Sequence, residues 1–168
     1  MHPLLRKITV SSLLAIFCLI GGSLWYYLPA TQLVHLIGTE IKRGRVKDGV
    51  EAKDVRYVIA RDLESGETLM YRNEDIPWPP HFKFNSGTLA GTVLSLKETN
   101  PQARVRITYY GWRIPLFSAY PNITDLEEVQ GEDNYFPWFN TIFLSLLGMA
   151  VIYFVIRFRK WLFTNGSK

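Results

Sequence analysis

His2, His35 and His81, with Cys18, are the imidazole and thiol groups of this chain. They are the side chains best suited to hold a transition metal or to act as base or nucleophile near neutral pH. None of the histidines lies within metal-ligand spacing of another or of the thiol. Cys18 sits in an uncharged apolar stretch and, as the single cysteine, cannot form a disulfide within one copy. Glu74, Asp75 and His81 could converge as an acid/base group in one loop. No nucleophile or oxyanion motif accompanies them, so solvation of that loop is the plainer reading. There is no Gly-rich phosphate loop, no Walker pattern and no G-x-S-x-G. These residues predict a protein that is not an enzyme and that uses no cofactor and no metal.

Residues suited to recognition are more abundant. The segment Trp78-Pro79-Pro80-His81-Phe82-Lys83-Phe84 packs three aromatic rings among prolines. Exposed, Trp78, Phe82 and Phe84 form a recognition patch; buried, they are core residues on a rigid crossover whose prolines reduce unfolded-state entropy. Trp78, His81, Phe82 and Lys83, with Trp112 and Arg113 from a later turn, make up the candidate interaction surface. The basic run Lys42–Lys47 could touch phosphates or simply form a solvated hairpin loop. Asn122-Ile123-Thr124 matches a glycosylation sequon, which has no meaning in a bacterial setting.

The elements that position these residues are set by charge. Ile8–Leu28 and Phe136–Ile156 are each free of Asp, Glu, Lys, Arg and His over twenty-one residues. At about 1.5 Å per helical residue, each matches a hydrocarbon core of about 30 Å. All 15 acidic residues lie between these stretches, whereas the tips carry only Arg6, Lys7, Arg157, Arg159, Lys160 and Lys168. The segment between holds the other 13 Lys/Arg against 15 Asp/Glu, a net charge of −2. The overall +4 is therefore a topology signal, and specific nucleic-acid binding is not expected. Retention of positive charge in the cytoplasm predicts two transmembrane helices with both termini inside. The first stretch is longer than a signal-peptide core and has no small-residue cleavage site after it, which favours an uncleaved anchor.

The predicted order is a cytoplasmic tip over 1–7, a transmembrane helix over 8–28, an outer domain over 29–135, a second transmembrane helix over 136–156 and a cytoplasmic tail over 157–168. Trp25, Tyr26 and Tyr27, and Tyr135, Phe136 and Trp138, would lie at the outer interface. Ser11, Ala15, Cys18 and Gly22 are spaced 4-3-4, and Thr141, Ser145 and Gly148 are spaced 4-3. Each set falls on one helix face and either packs the two spans as an antiparallel hairpin or reflects chance spacing.

The outer domain reads as α+β. Strands are expected over Leu33–Ile41, Asp54–Arg61, Thr68–Arg72, Arg104–Tyr110, Ile114–Ala119 and Ile123–Val129. A helix capped by Asn85 or Ser86 runs to about Glu98, with Leu89, Val93 and Leu96 as its apolar stripe. A small antiparallel, partly closed barrel of the OB or SH3-like sort, plugged at one end by the helix, accounts for this order.

The runs Tyr71-Arg72-Asn73-Glu74-Asp75, Trp78–Ser86 and Tyr110-Gly111-Trp112-Arg113-Ile114-Pro115 resemble a family of bacterial and prophage two-span inner-membrane proteins of unknown function. The resemblance extends over nearly the whole chain and carries no assigned catalytic residues. In length and layout the chain is also similar to the phage superinfection exclusion protein A type, which implies blocking DNA entry of related phages. Together these give the expected function. A non-enzymatic, multi-pass protein of the bacterial inner membrane acts through protein contacts of a periplasmic domain. Its partners are the lipid bilayer and a protein, either phage ejection proteins or a host membrane complex. A second copy of the chain is a further candidate partner. The alternative is an envelope housekeeping factor that assists assembly or stability of a membrane complex.

The charge partition has a direct consequence. Alkaline phosphatase fused at Gly66 is expected to be active outside the cytoplasm, and phosphatase fused after Lys168 to be silent. Activity at both junctions contradicts the two-span topology.

Overall fold

A computed structural model describes residues 3–43, 54–79 and 81–165 of the 168-residue chain. The molecule divides into two compact units, Met1–Glu132 and Asp133–Lys168. The first unit begins with helix α1 (Pro3–Tyr27) and continues through β1 (Ala30–Lys42), β2 (Val55–Asp62), β3 (Thr68–Arg72), α2 (Ser86–Thr99), β4 (Val105–Tyr110) and β5 (Asn122–Glu128). The second is built on α3 (Trp138–Asn165).

The five strands close into a barrel in the order β1-β2-β3-β5-β4. All neighbours are antiparallel except β3 and β5, which run parallel and meet at the single pair Arg72–Asn122. The expected α+β class and the small barrel are therefore present. Period-2 alternation directs Val34 and Leu36, Val58 and Ala60, and Val105 and Ile107 inward. Ile123 and Leu126 from β5 complete the ring. β1 serves two neighbours along its length and bends at a bulge between Leu36 and Gly38.

Helix α2 lays Leu89 and Val93 in this core, with Leu96 packed against it. It is seated near the Gly38 end of β1, where the Lys97 ammonium lies 3.3 Å from where a Cβ on that glycine would be. The start of α2 is held differently from expectation. Asn85 occupies the N-cap position but makes no side-chain cap bond. Instead Asp75 accepts from the Ser86 backbone N–H at 2.9 Å and from its hydroxyl at 2.8 Å. A carboxylate eleven residues back in sequence thus satisfies an orphan donor of the helix and complements its dipole.

The predicted strand Ile114–Ala119 is not a strand. A 3-10 turn, Pro115–Phe117, fills it, and only Ile114 and Ala119 pair. Pro115 fixes a helical φ at the first position of the turn, which ends on Ser118 in the left-handed region at φ 48°. Of the expected loop over Lys42–Gly49, Lys42 belongs to β1 and the part beyond Arg43 lies outside the described residues.

Both terminal helices are apolar on all sides. In α1, Leu14, Ile16, Phe17, Leu19 and Ile20 point in different directions and each is more than half exposed. That pattern belongs to a helix buried in protein or in lipid. Among the described residues, one helical stretch, Trp138–Arg157, is long and apolar enough to cross a membrane, while Leu14–Tyr27 is a shorter apolar stretch. Pro137 precedes α3 rather than lying in its first turn, and its carbonyl accepts from the Thr141 N–H and hydroxyl, each at 3.0 Å.

Gly91 lies in the exposed middle of α2, and a Cβ there would meet nothing within 4 Å. Gly91→Ala is expected to stabilise the barrel by about 1 kcal/mol through reduced unfolded-state freedom. Chemical denaturation of the purified chain reads the effect, and a lower midpoint contradicts this account of the helix.

Candidate functional site

An open cleft of about 960 Å³ lies in the barrel wall beside β1. It lies at the Ala30–Gln32 end of that strand. Its walls are Tyr71 of β3, Tyr109 of β4, and Trp112 and Tyr120 of the connection before β5, with Trp25 contributed by α1. Tyr71 and Tyr109 form the floor, their ring centroids 5.1 Å apart. Burial raises both phenol pKa values, and the neighbouring Asp62 carboxylate adds to the effect. Both hydroxyls are therefore neutral at physiological pH.

Asp62 itself is ionised. Hydrogen bonds from Ser65 and Gln32 hold its pKa down to about 2. Gln32 Nε2 donates at 2.7 Å, and the Ser65 hydroxyl and backbone N–H donate at 2.6 and 3.1 Å. The carboxylate closes the β2–β3 turn, so its acceptor capacity is mostly used by the protein. On the opposite wall Arg113 stacks 3.9 Å above the Tyr120 ring and donates to the Ala119 carbonyl at 2.9 Å. Tyr120 also packs edge-on to Tyr57 at 5.2 Å. The cleft thus offers flat aromatic faces, phenol hydroxyls, the Arg113 cation and the Glu67 carboxylate, a set able to stack and to hydrogen-bond.

The residues expected to make an interaction surface fall in two loops, and both loops are fastened to the last turns of α1. Loop Ile76–Lys83 is closed by paired backbone bonds between its end residues, each 2.9 Å. Just before the closing residue Lys83, Phe82 adopts a left-handed φ of 38°. His81 stacks on Tyr110 at 3.4 Å and lies 6.2 Å from Tyr27. Burial lowers the His81 pKa, which favours the neutral imidazole. In the second loop the Gly111 N–H donates to the Tyr26 carbonyl at 2.9 Å, and Trp112 packs edge-on to Trp25 and Tyr26, each at 5.4 Å. Gly111 has φ +89°, and a Cβ there would sit 3.7 Å from the Tyr26 ring and from Pro121. That distance is ordinary van der Waals contact, so it is the left-handed backbone that requires glycine.

Exposure sorts the predicted surface. Trp78 is 72% exposed, Phe82 55% and Phe84 69%, so these rings are not core. Lys83 is the exception and must be withdrawn from the surface. It is 4% exposed, and its ammonium donates to Asn73 Oδ1 at 2.6 Å. Glu74, Asp75 and His81 do not converge. Glu74 pairs with Arg72 and receives the Asn122 amide on its backbone carbonyl, while Asp75 holds α2 and His81 stacks on Tyr110. Of the small residues on the first helix, Ser11, Ala15 and Cys18 are exposed, and Gly22 faces Trp112, 3.9 Å from where its Cβ would be. Among the described residues no group of three or more His, Cys, Asp and Glu is placed to hold a metal ion.

Sequence reasoning missed Tyr71, Tyr109 and Tyr120 as cleft walls. The Tyr109-Tyr110 doublet was the available signal, since strict alternation cannot bury both rings. Tyr109 packs against the barrel core, whereas Tyr110 is buried under His81, which stacks on it, and accepts a hydrogen bond from the Asn122 amide.

Fold and site define a class: a five-stranded barrel, plugged by one helix, with an aromatic cleft beside an apolar helix. The family described as "Protein of unknown function (DUF1523)" matches residues 5–162, and the chain belongs to it. An uncharacterized protein of Haemophilus influenzae (strain ATCC 51907 / DSM 11121 / KW20 / Rd) is 32% identical over 152 residues, covering 81% of this chain and 83% of the relative. No solved structure matches the chain.

Burial pushes the Lys83 pKa from 10.5 down to about 8, against the raising influence of Asp75 and Glu74. Between those values the unfolded chain holds the proton and the folded chain does not, so stability rises with pH across that window. Melting of the intact protein in detergent is expected to show this rise between pH 8 and 10. The variant Lys83→Met should lack that component, and an unchanged slope contradicts the assignment.

Proposed function

We propose that this protein is a non-enzymatic interaction module, tethered to a bacterial inner membrane by α1 and α3, whose barrel binds a partner protein on the periplasmic face. The aromatic cleft beside Trp25 carries this reading. Its volume of about 960 Å³ falls within the range of ligand-sized pockets, and its rings resemble the anchors that dominate protein interfaces. The barrel order β1-β2-β3-β5-β4, with α2 between β3 and β4, corresponds to the OB type, whose members use the barrel face and its loops for binding. The uncharged runs and the basic tips support the two-span topology with both termini in the cytoplasm. The small residues Ser11, Ala15, Cys18, Gly22, Thr141, Ser145 and Gly148 are the proposed contacts of the spans within the bilayer.

The narrower role is superinfection exclusion, in which the barrel engages the ejection proteins of an incoming phage and stops its DNA at the inner membrane. A rigid surface tethered at both ends meets this need without an active site. The support for this role is the resemblance in length and layout.

A photoreactive phenylalanine analogue at Tyr120 in the cleft, compared with the same group at Glu98 on α2, tests the module. A discrete adduct is expected from Tyr120 alone, weakened when Arg113→Glu reverses the charge of the cleft wall. Equal adducts from both positions contradict a cleft-directed partner. For the narrower role, expression in a sensitive host should lower plating efficiency for some phages of a broad panel. Exchanging residues 31–135 for those of a distant relative should change which phages are blocked. No change in plating across the panel rejects exclusion while leaving the module intact.

A further inference from the structure

Two exposed apolar loop tips flank the end of α1: Trp78 with Phe82, and Leu116 with Phe117, the last two 84% and 74% exposed. We propose that these tips form a collar that inserts into the outer interface of the bilayer, so that the barrel rides on the lipid instead of standing clear of it. The inference rests on the reading of residues 8–28 as a transmembrane segment and adds to it a lipid-contacting surface on the domain.

Three independent observations support the collar. The first is depth. Trp112, at the root of the second loop, reaches down to Gly22, 3.9 Å from a Cβ there. Gly22 lies five residues before the end of α1, which at 1.5 Å per residue is about 7 Å along the helix. The loop root is therefore level with the apolar run itself. The first loop meets α1 at its last residue, where His81 stacks on Tyr110 and lies 6.2 Å from the Tyr27 ring.

The second is charge. Neither Ile76–Phe84 nor Gly111–Pro121 contains Asp or Glu, although the outer segment holds all 15 acids of the chain. Burial of Lys83 leaves the tips of the first loop without an exposed full charge. In the second loop the one charged side chain, Arg113, is turned onto the Tyr120 ring in the cleft wall, away from the Leu116–Phe117 tip.

The third is backbone strain. Phe82 and Ser118 are the two non-glycine residues with left-handed φ among those described, and each lies in one of these loops. Such conformations cost L-residues about 1–2 kcal/mol and tend to mark functional surfaces. Here they hold large apolar side chains outward. Amphipathic and aromatic side chains concentrate at the membrane interface, and Trp25 and Tyr27 at the end of α1 continue the same belt.

Nitroxide labels on single cysteines in a Cys18→Ser background test the collar, with the full chain in phosphatidylcholine–phosphatidylglycerol vesicles. Labels at Phe82→Cys and Phe117→Cys should be relaxed several-fold more by lipid-soluble oxygen than by a water-soluble nickel chelate. A label at Glu98→Cys should show the reverse. Leu14→Cys reports separately on the first helix. Lipid exposure at Leu14 with water exposure at both tips overturns the collar and leaves the anchor standing. Water exposure at Leu14 overturns the anchor itself. Shielding of the tips from both reagents also overturns the collar, because it places a second copy of the chain over them. Unchanged circular dichroism of each labelled protein keeps the comparison interpretable.

Discussion

The barrel depends on one seam. β3 and β5 meet at a single parallel pair, and a parallel contact of one residue cannot close a barrel through ladder bonds alone. Asn122 supplies the remainder. Its amide donates to the Glu74 carbonyl and to the Tyr110 hydroxyl, both at 3.1 Å, and its carbonyl accepts the Glu74 N–H at 3.1 Å. The side chain is buried, so each of these bonds is made where water cannot substitute. The Arg72 N–H to Pro121 carbonyl bond, 2.7 Å, completes the seam. One amide therefore ties β3, β4 and β5 to the start of the proline loop.

The seam explains the location of the cleft. β3 and β5 overlap only at their ends, so on the edge opposite β2 the rest of β3 faces the connection before β5 and pairs with no strand. Tyr120, Pro121 and Trp112 line that side, and space remains between them and Met70. A longer β3–β5 ladder would fill the cleft with paired backbone. The cleft is thus the part of the barrel wall that pairing leaves open, with Trp112 and Tyr120 placed on a connection and not on the strands.

Much of this was legible from residue patterns, and the failures have physical causes. Period-2 alternation located β2, β4 and β5 to within a residue or two, and the Leu89/Val93/Leu96 stripe located α2 on its buried face. These are local signals backed by burial. The segment Ile114–Ala119 failed because alternation there competes with Pro115, which favours a tight turn. Lys83 was misread as surface because lysine is almost never fully buried; its environment comes from Asn73 and a loop closure that no local pattern reveals. The role of Asp75 depends on a contact eleven residues away. No local pattern shows that Trp78 and Trp112 lie in loops that both meet the end of one helix, because that is a tertiary fact.

That docking also constrains motion. Only Leu28 and Pro29 separate α1 from β1, and the Gly111–Tyr26 bond bridges helix to loop beyond that joint. A two-residue connection containing proline has little conformational freedom, and a second attachment from an element about eighty residues later removes most of what remains. The barrel is accordingly oriented with respect to α1, unlike a domain on a flexible tether. A flexible tether would let the cleft sample many directions and lower the effective concentration of any one pose. Fixed as it is, the cleft presents Trp25, Trp112 and Arg113 in one direction. A partner of the kind proposed for this cleft would need little ordering of the protein on binding, which is where preorganised interfaces gain their affinity.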